Sequence, residues 1–267
     1  ISEIDVSQIL SLVSFGCWGN NLSAIDVSQN LNLSWFAAGI NNISSIDLTN
    51  NLSLNTLYLN ENNLSSLDVT QNTQLSYLEV GQNNLSSIDL SQNTNLNYLS
   101  VYFNSLTTLD VSQNSMLTSL YCKFNNLEEL DLTNCSFLNY LSCRFNNLNE
   151  LDISQNVNLN ELWLNGGNPN LFCVTTHDTV WANSQANFYL SDDKFFSVNC
   201  EQENIIASCF DETAPNYDNT DYDETIYTLV NQGCFNGLTY IPDDAFEQYL
   251  IELGFDNVMD NYMSTYT

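Results

Sequence analysis

The sequence has almost no positive charge. Of its 267 residues only Lys123, Arg144 and Lys194 are basic, against 32 acidic ones, for a formal net charge of −29. With no basic footprint to neutralise phosphates, the chain is not built for nucleic acid, nor for an anionic membrane surface. It also has a single histidine, His177, and no C-x-x-C pair, too little for an ordinary zinc site. No run of about 18 apolar residues occurs, so no membrane insertion is expected of this stretch. Phosphate loops, cofactor fingerprints and nucleophile elbows are missing. Carboxylate pairs occur everywhere by composition, so none stands out, and the chain does not read as an enzyme. Disorder is excluded as well, because 43% of the residues are hydrophobic.

What is present is a period. The Asp of an I/L-D-V/L/I motif recurs at Asp5, Asp26, Asp47, Asp68, Asp89, Asp110, Asp131 and Asp152, always 21 residues apart. The full unit reads L-x-x-L-x-L-x-x-N-x-L-x-x-I-D-L-x-x-N-x-x, as in Leu75, Leu78, Val80, Asn83, Leu85, Ile88, Asp89, Leu90 and Asn93. Its L-x-L/V run alternates with period two and predicts a strand. The Asn after it turns the chain by bonding backbone groups. The second run, I-D-L/V-S/T-Q-N, predicts an extended wall rather than a helix. A single rung cannot bury its own leucines, whereas rungs stacked about 4.8 Å apart bury a continuous column. The expected fold is a repeat solenoid of stacked parallel strands with little helix over residues 1–172. An extra residue disturbs the last unit near Gly166-Gly167-Asn168-Pro169. Because Ile1–Asp5 matches only the second half of a unit, a longer parent chain is expected.

The unit resembles the 21-residue leucine-rich repeats of bacterial surface proteins, close to the internalin subgroup, whose inner leucine is often cysteine. Here that position holds Cys17, Cys122 and Cys143, with Ala38, Leu59, Val80, Val101 and Leu164 elsewhere. The resemblance implies an extracellular or cell-surface location and a role in adhesion or recognition, and it names no ligand. Residues 173–204, from Cys173-Val174 through Trp181 to Phe195-Phe196 and Cys200, resemble the C-terminal cap that closes such solenoids. Residues 205–236 resemble a C-x-D-x-x-A-x-N-Y module of Bacteroidetes surface proteins. Its usual D-D-G-S-C ending is replaced by Asp221-Tyr222-Asp223-Glu224 and a longer run to Cys234. Residues 237–267 carry a predicted helix from Ile241-Pro242-Asp243 to Gly254, similar to the start of a further unit.

Cysteine usage splits by position. Cys17, Cys122 and Cys143 are small apolar filler of the rung column. Cys122 and Cys143 lie one rung apart, but neighbouring parallel strands seldom meet the torsion of a disulfide, so free thiols are expected there and at Cys135. Cys173 with Cys200, and Cys209 with Cys234, bracket successive segments and are the expected disulfides, which places the chain in an oxidising compartment. Asp211, Asp218, Asp221, Asp223 and Glu224 supply hard oxygen donors. A solvated acidic linker accounts for their presence, with calcium bound by them as the alternative; no cofactor is otherwise required.

The outward positions of the strands form an open face that holds Trp18, Trp35, Tyr58, Tyr77, Tyr98, Tyr102, Tyr121, Tyr140 and Trp163. Lys123 and Arg144 share one of its columns, and Glu79 and Glu161 are its only acids. Aromatics there suit a glycan or a protein hot spot, and the cations suit a carboxylate, sulfate or phosphate. Tyr98, Tyr102, Tyr121, Lys123, Tyr140 and Arg144 are therefore the candidate binding residues. Cross-strand packing for stability alone accounts for the same tyrosines. Phe103, Phe124 and Phe145 are read as a structural spine at the turn. The aspartates are read as acceptors for turn amides and hydroxyls, with bridging cations as the alternative. Two functions follow: a recognition module for a protein, a glycan or neighbouring surface proteins, or a structural spacer bead.

Overall fold

The computed structural model describes residues 1–191 and 193–200. Eight three-residue strands repeat along the chain: β1 Ser14–Gly16, β2 Trp35–Ala37, β3 Thr56–Tyr58, β4 Tyr77–Glu79, β5 Tyr98–Ser100, β6 Ser119–Tyr121, β7 Tyr140–Ser142 and β8 Glu161–Trp163. Each pairs in parallel with the next, and the register is one whole repeat, so Leu57 faces Leu78 and Leu78 faces Leu99. The 21-residue period thus becomes a regular stack in which equivalent positions form columns. The run from the Asp motif to the next strand carries no helix and no strand, only turns, apart from a single bridge between Asp152 and Thr175. This is the extended wall expected from its Ser, Thr, Asn and Asp content.

The core is one continuous leucine column. In the rung of β4, Leu75, Leu78, Val80, Leu85 and Leu90 are all buried, each worth about 1.5–3 kcal/mol on transfer from water. Cys17, Cys122, Cys135 and Cys143 are buried in the same core and are free thiols, as expected. Burial pushes the Cys17 and Cys135 thiols up to about 11 and the Cys143 thiol up to about 12.

Two asparagine ladders hold the rungs together. In the first, the Asn83 amide donates to the carbonyls of Leu59, Val80 and Gly81, while its Oδ1 accepts from the Leu64 N–H at 2.9 Å. Every rung is stitched to the one before it, and every buried group of Asn83 is satisfied. The inserted residue at Gly166-Gly167 does not break this ladder: Asn168 still donates to Cys143 O and accepts from Leu148 N. In the second ladder, Asn93 donates to Val69 O and Asn72 O at 3.0 Å. Cys135 takes the asparagine's place in one rung, its Sγ 3.9 Å from Val111 O.

The solenoid ends in a cap. β9 (Cys173–Thr175) leads to α1 (Thr179–Ser184), whose N-cap Asp178 accepts from the Val180 and Trp181 amides. β10 (Phe188–Tyr189) then adds to β8 as the last strand of the main sheet, and β11 (Phe195–Ser197) pairs with β9. The cap therefore continues the sheet rather than sitting beside it. Cys173 and Cys200 form the expected disulfide, with Cα atoms 5.6 Å apart. The ammonium of Lys194 is buried against Asn168 O and paired with Asp193. No helix among the described residues is long and apolar enough to cross a membrane. The Cys209–Cys234 bridge, the acidic cluster from Asp211 to Glu224 and the helix starting near Ile241 lie outside the described residues.

Candidate functional site

Parallel register turns the open sheet face into three outward columns. The first runs through Trp35, Thr56, Tyr77, Tyr98, Ser119, Tyr140 and Glu161. The second runs through Ala37, Tyr58, Glu79, Ser100, Tyr121, Ser142 and Trp163. Each rung from β2 to β8 places one aromatic residue in these two columns, and its partner is small or a glutamate. Ser100 and Ser142 are buried as a result.

The rings form one row. Centroids are 5.9 Å apart for Trp35 and Tyr58, 4.8 Å for Tyr58 and Tyr77, 4.0 Å for Tyr77 and Tyr98, 5.2 Å for Tyr98 and Tyr121, and 4.3 Å for Tyr121 and Tyr140. Trp163 and Tyr189 of the cap stand 4.2 Å apart. The two glutamates serve the row. Tyr77 Oη donates to Glu79 at 3.2 Å, and Trp163 Nε1 donates to Glu161 at 2.6 Å. Burial pushes the Tyr98 and Tyr140 phenols up to about 12, so both remain O–H donors at neutral pH.

The third column holds Trp18, Gly39, Asn60, Gly81, Tyr102, Lys123, Arg144 and Asn165. Its large residues lie over a neighbouring rung, Tyr102 over the one before and Trp18 over the one after. A Cβ on Gly81 would stand 2.3 Å from Tyr102, and one on Gly39 would stand 2.6 Å from Trp18. Both glycines are required by that close approach. Tyr102 Oη donates to Gln82 at 3.1 Å. Lys123 Nζ is 5.4 Å from the Tyr102 ring centroid, and the Arg144 guanidinium carbon is 5.3 Å from that of Trp163. The structure thus brings Tyr98, Tyr121 and Tyr140 into the ring row, and Tyr102, Lys123 and Arg144 into the column beside it.

Phe103, Phe124 and Phe145 stack at 4.0 and 4.3 Å, as a spine would. Their backbone is the unexpected part. All three have φ near +50°, shared by Ile40, Glu61 and Gln82 in the same column. The signal for this was in the sequence, because Gly19 opens the column and glycine marks a left-handed position.

The opposite wall carries the aspartates. Asp89 Oδ1 accepts from the Ser91 N–H at 2.9 Å, and Asp68 accepts from both the amide and the hydroxyl of Thr70. The same bond recurs in each rung and lowers the pKa of Asp5, Asp26, Asp47, Asp68, Asp89, Asp110 and Asp131. A turn amide thus meets one oxygen of each aspartate in this ladder.

Among solved structures, the functional domain of InlJ from Listeria monocytogenes, which includes a cysteine ladder, superposes with a TM-score of 0.58 at 32% identity. The match covers 65% of this chain and 46% of that one. The fold is an internalin-like leucine-rich-repeat solenoid. The internalin InlF of L. monocytogenes matches at 26% identity and a TM-score of 0.52, over 61% of this chain and 50% of that one. The Leptospira interrogans repeat protein LIC12759, at 20% identity and a TM-score of 0.52, covers 64% of this chain and 56% of that one, and shows the fold alone. The chain therefore spans about half the length of these internalins. No family profile matches the chain, and no curated protein does.

Proposed function

We propose that this internalin-like solenoid is a non-enzymatic recognition module, secreted or displayed at a bacterial cell surface, that binds a macromolecule through its aromatic sheet face. The observation that carries this reading is the ring row from Trp35 to Tyr140, unbroken across six rungs' worth of strand and bordered by Tyr102, Lys123 and Arg144. Aromatic and arginine side chains gathered on one face are the usual anchors of a binding hot spot. The Cys173–Cys200 disulfide supports an oxidising, extracellular setting. Between the two partner classes, protein is favoured over glycan. A sugar packs on a flat ring face, and here the faces of Tyr77, Tyr98, Tyr121 and Tyr140 are turned to one another.

The same stacking favours a second reading, a spacer bead of a longer surface protein, because rings that pair along a sheet stabilise it without any ligand. Wild type and a Tyr98→Ala/Tyr140→Ala variant, matched by circular dichroism, should be compared on a glycan array and in pull-downs from candidate surface proteins. Loss of a specific partner in the variant supports recognition. Identical profiles for the two proteins leave the spacer.

A further inference from the structure

Three rungs concentrate what the rest of the face lacks. Lys123 and Arg144 occupy adjacent rungs of the third column, and among the described residues neither has a carboxylate partner; the one ion pair there is Lys194 with Asp193. In a chain with 32 acidic side chains, two cations left without an acid are held apart by position. Both lie on rings instead, Lys123 on Tyr102, and Arg144 on Phe145 and Trp163. Arg144 Nε is buried without a hydrogen-bond partner, which leaves its guanidinium with donors still to satisfy. Burial and the charge of Arg144 lower the Lys123 pKa, and the opposite charge of an incoming anion would offset both effects.

Beside these cations stand Phe103, Phe124 and Phe145, with φ of 49°, 56° and 54°. A bulky side chain is rarely found in the left-handed region. The fold accepts glycine in this column, since Gly19 has φ 68° there. Phe103 and Phe145 are also 46% and 40% exposed, so burial does not offset the strain. Other residues share the backbone state, but phenyl rings in three successive rungs occur only next to Lys123 and Arg144. Strain kept at an exposed surface points to use of that surface.

The geometry points to an anion-recognition site on the rungs of β5 to β7, in which Lys123 and Arg144 take a carboxylate of an acidic polypeptide segment and the phenyl stack packs against the apolar part of the same segment. This rests on the recognition reading and names the chemistry of its partner. Charge complementarity selects the occupant: a basic segment would meet the only two cations of the face, and a sugar would find the phenyl faces already stacked. The remaining charge of the chain repels polyanions, so binding to one reports this site rather than a general attraction.

The test is fluorescence anisotropy at about 0.15 M salt, where distant charges are screened beyond about 8 Å, with labelled poly-L-glutamate for the cations and a labelled glutamate–leucine copolymer for the phenyl stack. Wild type should bind, and Lys123→Gln/Arg144→Gln should bind about tenfold more weakly or worse. Phe124→Gly frees the strained backbone while removing a ring. It should bind the glutamate–leucine copolymer more weakly with no fall in thermal midpoint, which a purely structural phenylalanine would not allow. No binding by wild type, or equal binding by the double variant, overturns the site. So does binding of dextran sulfate without binding of polyglutamate, which would assign the cations to a sulfated glycan. Wild-type affinity in Phe124→Gly strikes the phenyl stack from the site. If a partner is lost with Tyr98→Ala/Tyr140→Ala but kept by Lys123→Gln/Arg144→Gln, recognition stands and this inference falls. If both variants keep it, both readings fall.

Discussion

The ring of Tyr77 lies 4.0 Å from that of Tyr98 and 4° from parallel. The cause is the register. Both residues occupy the first column of adjacent parallel rungs, whose spacing of about 4.8 Å leaves two rings no room except face to face. Where the row crosses between columns the contacts lengthen, to 4.8 Å for Tyr58 and Tyr77, 5.2 Å for Tyr98 and Tyr121 and 4.3 Å for Tyr121 and Tyr140, and the rings tilt by 38°, 38° and 26°. A double-mutant cycle on Tyr77→Ala and Tyr98→Ala, followed by urea denaturation, should give a coupling of about 0.5–1.5 kcal/mol. Additive losses would mean that the stack contributes only its burial.

The two asparagine ladders should respond differently to truncation. Asn83→Ala strands the buried Leu64 amide, whose acceptor is Asn83 Oδ1. An unmet buried donor adds about 1–3 kcal/mol to the lost hydrogen bonds, so a total of about 2–4 kcal/mol is expected. Asn93→Ala removes donors only. Val69 O and Asn72 O still accept from the Asn72 and Leu75 amides, and the buried Asn93 Oδ1, which has no partner, disappears with the side chain. Its cost should stay below about 1.5 kcal/mol. Chemical denaturation of the two variants compares them directly.

Acid should weaken the aspartate wall. The seven carboxylates with lowered pKa are stabilised as anions by turn amides and hydroxyls. Their contribution is present above the unfolded value of 3.8 and is lost as pH falls through the lower folded values. Self-repulsion of the acidic chain changes in the opposite sense, so the comparison belongs at about 1 M salt, where the Debye length is about 3 Å. The denaturant midpoint should fall between about pH 6 and about pH 2.5. Asp89→Asn should reduce that fall.

Thiol chemistry should separate the cap from the core. Cys17, Cys122, Cys135 and Cys143 are buried and protonated, so peptide mapping after alkylation should find them modified only once the protein is unfolded. Cys173→Ser removes the cap disulfide and should destabilise the chain by about 2–4 kcal/mol, read from urea denaturation. Alkylation of Cys122 in the native protein would contradict the packing of its rung.

Gly81→Ala tests the close approach in the third column. The new Cβ would displace the Tyr102 ring, breaking its bond to Gln82 and removing the ring beneath Lys123. The expected result is a near-native fold with a shifted Tyr102 side-chain resonance and weaker polyglutamate binding. Unchanged Tyr102 signals would show that the ring does not rest on Gly81.

Much of this was legible from one repeat. The 21-residue spacing of Asp5 to Asp152, with Leu, Asn and Asp at constant offsets, dictates strand, turn and wall, because each unit can bury its leucines only against a copy of itself. The free Cys122 and Cys143 and the outward aromatics follow from that alignment, and the Cys173–Cys200 bridge from the way the two cysteines bracket the segment after the last rung. The left-handed backbone at Phe103, Phe124 and Phe145 was missed, because side-chain type says nothing of φ unless glycine at Gly19 is read as a sign for the whole column. The entry of Phe188–Tyr189 into the main sheet is not legible in the sequence, because the cap breaks the 21-residue period that marks the strands.

By itself, then, the sequence determined the columns: which residues face inward, which face outward, and that Lys123 and Arg144 share a line one rung apart. The tertiary structure alone decided how those side chains use their positions. Whether Tyr77 turns a face or an edge to Tyr98, whether Tyr102 lies back over Gly81, and whether Lys123 meets a carboxylate or a ring depend on what fills the space a rung away. That space is set by the parallel register, which a linear pattern implies but cannot fill.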